Sequence, residues 1–401
     1  MTIGEYIKRS ITPFNIVAGL ILIAGLYASI IRFIKGLGPS TNLSDTYPWG
    51  LWIVDLLNYV AFGATGYTIV TAVHLLGLKE YRPIVRPAIL IGFLGYLFVG
   101  ISLLYDIGRP LRLPYPLFVS QGTTSVMFEV ALCVFLYLTV LFLEFLPAPA
   151  EWLGLKKLRG WLAKITLALS VFGLTLSTLH QSSLGAYFLI APGKLHPLWY
   201  SPYIPVFFFV SSVIAGLAMI IFVSMLSHRV FSSQGEHYDM APTTPQPPLL
   251  RGIKRDNNFD KLTIGLGKAA SITLLSYFCI KWLGVAHGNH WGLLKTPLGY
   301  WFLVEVLVFV LLPCFLYAWG VRQENATIVR FTSMFTIIGI MVNRINVTLV
   351  AFNWNAEVRY FPSWMEFAVS FTFITLIILI FRWIANRMAI LYEHPEYKDA
   401  H

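Results

Sequence analysis

The sequence contains few charged residues and only three cysteines. Only 12% of its 401 residues are charged, whereas 57% are apolar, and its mean hydropathy is +0.70. A soluble chain carries about twice that share of charge. Long apolar runs follow one another along almost the whole chain, which leaves no room for a separate soluble catalytic domain. The sequence therefore predicts an all-α polytopic membrane protein.

The cysteines Cys133, Cys279 and Cys314 lie in apolar runs, and no C-x-x-C or C-x-x-C-H pattern occurs. This pattern argues against iron–sulfur ligation, covalently attached haem and a disulfide framework. Only His180 lies well inside an apolar run, so no histidine pair is placed to bind haem from two facing helices. We interpret His287 and His290 as loop histidines. The chain is thus predicted to hold no haem, no iron–sulfur cluster and no metal.

Apolar runs long enough to cross a bilayer occur ten times. They lie at about 14–34, 52–77, 86–106, 123–146, 163–190, 203–228, 262–286, 298–320, 327–352 and 363–388. Of the 29 Lys and Arg residues, 20 fall at the two ends of the chain and in the even-numbered loops, and seven fall in the odd-numbered loops. The positive-inside rule then places both termini in the cytoplasm. The membrane that the chain crosses is predicted to be the cell's inner membrane. The net charge of +10 is explained by these loops and not by nucleic-acid binding.

The sequence suggests a division into two transmembrane halves. The first half covers residues 1–228 with about six spans, and the second covers residues 262–401 with about four. Between them, residues 229–261 contain APTTPQPPLL, whose prolines and lack of apolar periodicity are typical of a cytoplasmic linker. An ordinary variable loop is an equal alternative.

Ionisable residues within the predicted spans concentrate in the outer half of the membrane. Such groups are costly in a bilayer and usually mark a site or a pathway. With the orientation above, the outer half holds Asp55, Asp106, Glu129, His180, Lys281, Glu305, Arg344 and Glu366. The inner helix ends hold His74, Glu144 and His228, which we interpret as snorkelling side chains. The distribution favours proton exchange with the outside through Asp106 and Asp55.

The spacing of polar residues indicates which helix faces turn inward. Ser177, His180 and Ser183 recur every three residues and share one face of a helix. A polar cluster near one membrane face suits a quinone, whose carbonyl groups need hydrogen bonds. The alternative functions are a secondary transporter and a structural anchor. A transporter usually binds its substrate at the membrane midplane, whereas this cluster lies nearer the outer face.

Several motifs, in this order and spacing, resemble one membrane protein family. They are TYPWGLW, YRPIVRPAIL, DIGRP, SVMFE, LHQSSLGA, KLHPLW and RYFPSWMEF, and they extend over nearly the whole chain. Together they are similar to the NrfD/PsrC family of quinone-interacting membrane subunits, in its ten-helix HybB/DsrP branch. The C-terminal motif is more similar to the DsrP type of sulfate reducers than to the hydrogenase type.

This resemblance implies a fold, a ligand and a partner. The fold would be two four-helix bundles plus peripheral helices, without haem. The ligand would be menaquinone or another quinone, bound near the outer face. An iron–sulfur, ferredoxin-like subunit on that face would exchange electrons with the quinone within a larger respiratory complex, so that the chain alone is an incomplete oxidoreductase.

The resemblance and the charge distribution together nominate six site residues. The motifs imply that Glu129, His180 and Asp106 bind the quinone and exchange protons, with His180 giving a hydrogen bond to a quinone carbonyl. Spacing and depth add Ser183, Asp55 and Arg344 as further quinone-binding candidates.

Overall fold

The computed structural model describes residues 12–238 and 257–391. Ten helices in this part of the chain are long and apolar enough to cross a membrane. They are α1 (Pro13–Lys35), α2 (Leu51–Leu75), α3 (Lys79–Asp106), α4 (Val126–Trp152), α5 (Lys156–Ile190), α6 (Ile204–Leu226), α7 (Phe259–His287), α8 (Pro297–Arg322), α9 (Ala326–Val350) and α10 (Trp364–Arg387). No strand occurs among the described residues, and the predicted all-α membrane fold is confirmed.

Polar residues at the starts of several spans fix where the helices begin. Each side chain accepts a hydrogen bond from a backbone N–H group in the first turn. Such N–H groups have no partner within the helix. The N-caps are Thr12 of α1, Ser125 of α4, Thr296 of α8, Asn325 of α9 and Ser363 of α10. At α10 the cap is reciprocal, because Glu366 accepts from the backbone N–H of Ser363 in return.

The helices form two four-helix bundles, as predicted. Helices α2 to α5 pack in one ring and α6 to α9 in a second, while α1 and α10 pair outside the first ring against α2 and α3. The α1–α10 contact is close: a Cβ atom at Gly25 would lie 1.8 Å from Oγ1 of Thr372. Small residues of this kind let membrane helices approach each other.

Helix α6 joins the two bundles, since it packs on α2 and α5 as well as on α7 and α9. The helix that contains this span continues to Tyr238, and the helix of α7 begins at Asn257. The proline-rich segment 241–250 of the predicted linker lies outside the described residues. So do Lys8, Arg9 and Lys398, which contributed to the predicted orientation. The division of the chain at residues 229–261 stays a prediction.

On one side of the molecule, the predicted outer side, the loops are tied together. Leu195 and Phe352 form an isolated antiparallel bridge. The N–H of His196 donates to the carbonyl of Ala351 at 2.9 Å, and the N–H of Asn353 donates to the carbonyl of Lys194 at 2.7 Å. The loops after α5 and α9 thereby form one layer across the outer ends of both bundles.

On the opposite side, a buried carboxylate holds three helices together. Glu151 accepts from both terminal nitrogens of Arg86 and from Nε of Arg159, all at 2.8 Å. Arg86 also donates to the carbonyl of Ala389, just after α10. Buried charges are tolerated when paired and hydrogen-bonded in this way.

Candidate functional site

His180 lies at the centre of the first bundle and is fully buried. Its Nδ1 lies 2.8 Å from the carbonyl oxygen of Leu176, which can only accept, so Nδ1 carries the proton. Nε2 therefore accepts a hydrogen bond from the hydroxyl of Tyr96 on α3. Gln181 donates to the same hydroxyl at 3.3 Å and to the carbonyl of Val60 at 3.0 Å. Both ring nitrogens of His180 are thus engaged by protein groups.

Gly63 on α2 has no side chain, and this leaves room for the ring of Tyr96 on α3. A Cβ atom at Gly63 would lie 2.7 Å from the ring of Tyr96, so a larger residue would displace that ring. Tyr137 of α4 stands edge-on to Tyr96, with ring centroids 4.7 Å apart, and its ring lies 5.5 Å from that of His180. The sequence motifs pointed to His180 but not to Tyr96, because Tyr96 lies in a uniformly apolar stretch.

Glu129 and Ser183 form a second polar pair, nearer the outer end of the bundle. The hydroxyl of Ser183 donates to Oε1 of Glu129 at 2.6 Å. Ser183 is buried, whereas Glu129 is exposed in the first turn of α4. Ser183 follows His180 by three residues on the same face of α5, so this pair lies one helical turn farther out.

Asp106 ends α3 and is accompanied by a buried arginine. Arg32 of α1 donates to the carbonyls of Tyr105 and Ile107, each at 2.7 Å, on either side of Asp106. Oδ1 of Asp106 is buried and, among the described residues, has no hydrogen-bond partner. Asp106 follows Tyr96 by ten residues, about 15 Å along the helix. It therefore lies well outside the His180 pair.

Asp55 is paired with the peripheral helix α10. It accepts from the hydroxyl of Ser370, and the nearby Glu366 accepts from the Tyr360 hydroxyl. Glu366 also accepts from the N–H of Asn42 at 3.2 Å, and its side chain is buried. These carboxyl groups make an acidic region between α2, α3 and α10 near the outer ends.

Arg344 belongs to the second bundle. It is 1% exposed, donates to Asn343 at 2.9 Å and to Ser211 at 2.8 Å, and stacks over the ring of Phe208 at 4.3 Å. The neighbouring Ser212 on α6 faces the first bundle, where it lies 3.1 Å from the Tyr67 hydroxyl.

A buried carboxylate organises the core of the second bundle. Glu305 accepts from the indole of Trp199 at 2.7 Å and from Lys281 at 3.4 Å. It also accepts from Asn343 at 2.7 Å and Asn346 at 2.5 Å. Four donors saturate its two oxygens, which is the arrangement expected of a structural charge. The sequence placed Lys281 and Glu305 in the outer half of the membrane by their positions along the spans. Those positions did not show that the two residues pair with each other.

The interpretation of Glu144 and His74 as snorkelling side chains is wrong. Glu144 turns into the bundle, where the hydroxyl of Ser170 lies 3.3 Å from Oε1. Nδ1 of His74 lies 2.8 Å from that same hydroxyl. The side chain of His228 lies outside the described residues.

The six predicted site residues therefore divide into separate groups. Glu129 and Ser183 form one pair, and His180 lies one turn deeper with Tyr96. Asp106 and Asp55 lie in the outer acidic region, and Arg344 lies in the other bundle. No cluster of three or more His, Cys, Asp or Glu that could hold a metal occurs in residues 12–238 and 257–391. The absence of a metal and of haem stays a prediction.

Comparison with known proteins gives one family and several relatives. The family model described as "Polysulphide reductase, NrfD" matches residues 39–244. A protein of Nitratidesulfovibrio vulgaris (strain Hildenborough) is 53% identical over 397 residues, which cover 98% of each chain. The probable Ni/Fe-hydrogenase 2 b-type cytochrome subunit of Escherichia coli K12 is 29% identical over 380 residues, 93% of this chain and 90% of that protein.

A third relative is also from Nitratidesulfovibrio vulgaris. The integral membrane subunit of its menaquinone reductase is 24% identical over 382 residues, which cover 86% of this chain and 84% of that subunit. By their names, the hydrogenase and menaquinone reductase relatives are subunits of redox complexes.

Proposed function

The chain belongs to the polysulphide reductase NrfD family of redox-complex membrane subunits, and from this premise we propose that it is a subunit that binds a quinone and passes electrons between it and a partner. The quinone, menaquinone or a close relative, is the substrate. The name of the menaquinone reductase relative supports this substrate class.

The observation that carries the proposal is the Glu129–Ser183 pair. Quinones have an apolar tail, so they must reach their site from the lipid and present a polar head group to it. Few residues of α4 and α5 are buried inside the molecule, 22% and 28% of their most apolar stretches, and Glu129 is exposed in the first turn of α4. A carboxylate beside hydrocarbon is costly unless it has a partner, and a quinone or quinol head group supplies one.

The His180–Tyr96 pair lies one turn behind this position. Reduction of one quinone takes two electrons and two protons, and oxidation of the quinol returns them. Glu129 and Ser183 hydrogen-bond to the head group, and His180 exchanges protons with it from behind. Because Nδ1 holds the proton and Nε2 accepts from Tyr96, a direct hydrogen bond from His180 to a quinone carbonyl requires Tyr96 to move aside and Nε2 to take up a proton.

The remaining candidates act at a distance from the head group. Asp106 and Asp55 lie nearer the outer surface, where they can exchange protons with the outside. Arg344 acts on the quinone head group only through the electric field of its buried charge, because its hydrogen bonds lie in the second bundle.

The partner that we propose is an iron–sulfur, ferredoxin-like subunit on the outer side, in a complex with further redox subunits. The chain lies in the cytoplasmic membrane with both termini inside. We propose a DsrP-type complex over a hydrogenase on the ground of the C-terminal RYFPSWMEF motif alone.

The test is quinone retention in the intact purified complex. We expect Glu129→Gln and Ser183→Ala to lower bound quinone and quinone-linked turnover, each by about tenfold, which corresponds to one lost hydrogen bond to a charged or polar group. Glu357→Gln, an exposed acid on the same side, and Thr175→Ala, an exposed hydroxyl on α5, are matched controls.

Quinone content is measured by extraction and chromatography, and turnover with a soluble quinol analogue. The proposal is wrong if the complex holds no quinone and turnover is unchanged in Glu129→Gln, Ser183→Ala and His180→Ala.

A further inference from the structure

The loop between α3 and α4 presents a run of exposed apolar side chains. Within residues 107–121, which we call the α3–α4 segment, Phe118 is 69% exposed and Val119 is 67% exposed. Leu111 and Tyr115 of the same segment are exposed as well. Single exposed apolar residues are common on protein surfaces, whereas several in one loop mark an interaction surface. The segment therefore has an apolar surface that the rest of the described chain leaves uncovered.

The segment folds back along the side of α4. The rings of Tyr96 and Tyr137 lie 4.7 Å apart. Tyr96 lies about 15 Å before the end of α3 and Tyr137 about 16 Å after the start of α4, so these two helix ends are level. The ring of Phe118 packs edge-on against that of Phe135, with centroids 6.2 Å apart. Because Phe135 lies about 13 Å along α4, Phe118 reaches below the level at which that helix begins.

The contact between Phe118 and Phe135 is on the lipid-facing side of α4. Phe135 is 46% exposed in spite of the Phe118 ring, and only 22% of the most apolar stretch of α4 is buried. A ring that packs on the uncovered side of a membrane-spanning helix, below the level of its end, is itself at a depth occupied by lipid. The apolar surface of the segment thus continues the lipid-facing surface of α4.

The backbone of the segment is hydrogen-bonded within itself. Hydrocarbon provides no partner for a free N–H group, so irregular backbone next to lipid has to bond internally. Six N–H groups donate to carbonyls of the same segment at 2.9–3.1 Å, namely those of Arg112, Leu113, Leu117, Phe118, Val119 and Ser120. Three further residues, Pro110, Pro114 and Pro116, have no N–H group to satisfy. The side-chain amide of Gln121 also turns back and donates to the carbonyl of Leu117 at 2.8 Å.

Two exposed arginines lie near the start of the segment. Arg109 follows Asp106, the last residue of α3, by three residues, and Arg112 follows Arg109 by three more. The guanidinium of Arg112 lies over the ring of Tyr115, 5.5 Å from its centroid. At the level of the helix ends, the anions within reach are the phosphates of lipid head groups, and arginine binds phosphate through two parallel hydrogen bonds. The charge at this end of the segment therefore matches the head-group layer.

We propose that the α3–α4 segment inserts into the leaflet on its side of the membrane and binds phospholipid there. Phe118 and Val119 lie among the acyl chains, and Arg109 and Arg112 bind head-group phosphates. The occupant of this surface is lipid and not a partner protein, because the surface reaches below the helix ends and is continuous with the lipid-facing side of α4. The inference depends neither on the proposed quinone function nor on which side of the membrane is outside.

The test measures the depth of two positions in the intact purified complex, reconstituted into phospholipid vesicles. Phe118→Cys and Val119→Cys are made in a Cys279→Ser background, because Cys279 is exposed, and each carries a nitroxide spin label. Val119→Cys keeps the Phe118 ring in place. We expect oxygen, which dissolves in lipid, to collide with both labels. The anion chromium oxalate should collide with them on the order of tenfold less often than with a label at Val358→Cys, an exposed position between α9 and α10.

The head-group contact is tested by Arg109→Gln combined with Arg112→Gln, read from the label at Val119→Cys. We expect chromium oxalate to reach this label severalfold more often, because the segment loses both of its contacts with phosphate. Lys194→Gln, which removes an exposed cation from the loop after α5, is the matched control and should leave the label as it was.

Three results would contradict the proposal. Chromium oxalate access at Phe118 and Val119 equal to that at Val358 shows that the segment lies in water. Labels shielded from both oxygen and chromium oxalate show that a protein of the complex covers the segment, which overturns lipid binding. If both labels lie in lipid but the double arginine variant behaves as Lys194→Gln does, the assignment of head-group phosphates to Arg109 and Arg112 is wrong.

Discussion

The Tyr96 hydroxyl donates to Nε2 of His180 inside a helix bundle, where both groups are removed from water. The carbonyl of Leu176 holds the proton on Nδ1, so the imidazole is oriented and its tautomer is set. Neither residue can change its protonation without a rearrangement of the other. This coupling makes the pair suitable for proton exchange that depends on an event nearby, such as binding of a head group at Ser183.

The first prediction concerns this hydrogen bond. Tyr96→Phe leaves Nε2 of His180 buried without a donor, which should cost about 1–3 kcal/mol of stability. Quinone-linked turnover should fall while the Glu129–Ser183 pair still retains quinone. Thermal unfolding of the purified complex and the quinone assay measure the two effects. Tyr300→Phe, on the exposed surface of α8, is the control. Equal melting temperatures and turnover in both variants would contradict the assigned role.

Apolar run length was sufficient to predict the ten spans. Each run needs about 20 apolar residues to cross a bilayer, and the helices begin and end within a few residues of the predicted limits for most spans. The grouping into two bundles came from the family resemblance, because apolar helices carry little information about which neighbour they pack against. Lipid-facing and protein-facing residues are equally apolar in such helices.

The site was harder to predict because depth along a helix does not determine direction around it. Glu144 and His74 lie at helix ends, where snorkelling is common, yet both turn inward onto Ser170. Arg32 is one of the seven Lys and Arg residues that the sequence assigns to the odd-numbered, outer loops, although it is 2% exposed and donates to the carbonyl of Tyr105 on α3. The carbonyls and hydroxyls that receive these side chains lie on other helices, so only the packed structure shows them.

The second prediction concerns the core of the second bundle. Glu305→Gln leaves Lys281 buried without its counter-charge, which should cost about 3–5 kcal/mol and lower the amount of folded protein in the membrane. The double variant Glu305→Gln with Lys281→Met removes both charges of the ion pair and should recover part of the loss. Membrane abundance and thermal unfolding of the purified complex provide the measurement.

The control for this experiment is Glu324→Gln, an exposed acid in the turn between α8 and α9. It should leave abundance unchanged. If Glu305→Gln accumulates and melts as the wild type does, Glu305 is not the structural charge that its four donors indicate.

The third prediction concerns pH and the outer loops. Burial of His196, and secondarily the charge of His290, lower the pKa of His196 from 6.5 to about 4. The folded protein therefore keeps His196 neutral, while the unfolded chain takes up a proton below pH 6.5. Stability is fully present above that pH and is lost as the pH falls toward 4. Between pH 7 and 5 the loss should reach about 2 kcal/mol at most.

Thermal unfolding of the purified complex at pH 7 and pH 5 measures this loss. His196→Asn cannot take up a proton in this range, so its melting temperature should fall less on acidification. Its side-chain oxygen can still accept from the N–H of Leu198, as Nδ1 of His196 does at 3.2 Å. An equal fall in both proteins would show that other groups control the acid response.

The last prediction concerns orientation, which decides the side on which the redox partner docks. The excess of Lys and Arg in the even-numbered loops predicts that Lys156, between α4 and α5, faces the cytoplasm. Val358, in the loop between α9 and α10, is 79% exposed and should face outward. Cys279 is exposed, whereas Cys133 and Cys314 are buried, so single reporter cysteines belong in a Cys279→Ser background. A membrane-impermeant maleimide added to intact cells should then label Val358→Cys but not Lys156→Cys. Labelling should reverse in inverted membrane vesicles. The opposite pattern would place the partner and the Glu129–Ser183 pair on the other side of the membrane, although the contacts within the bundle would remain the same.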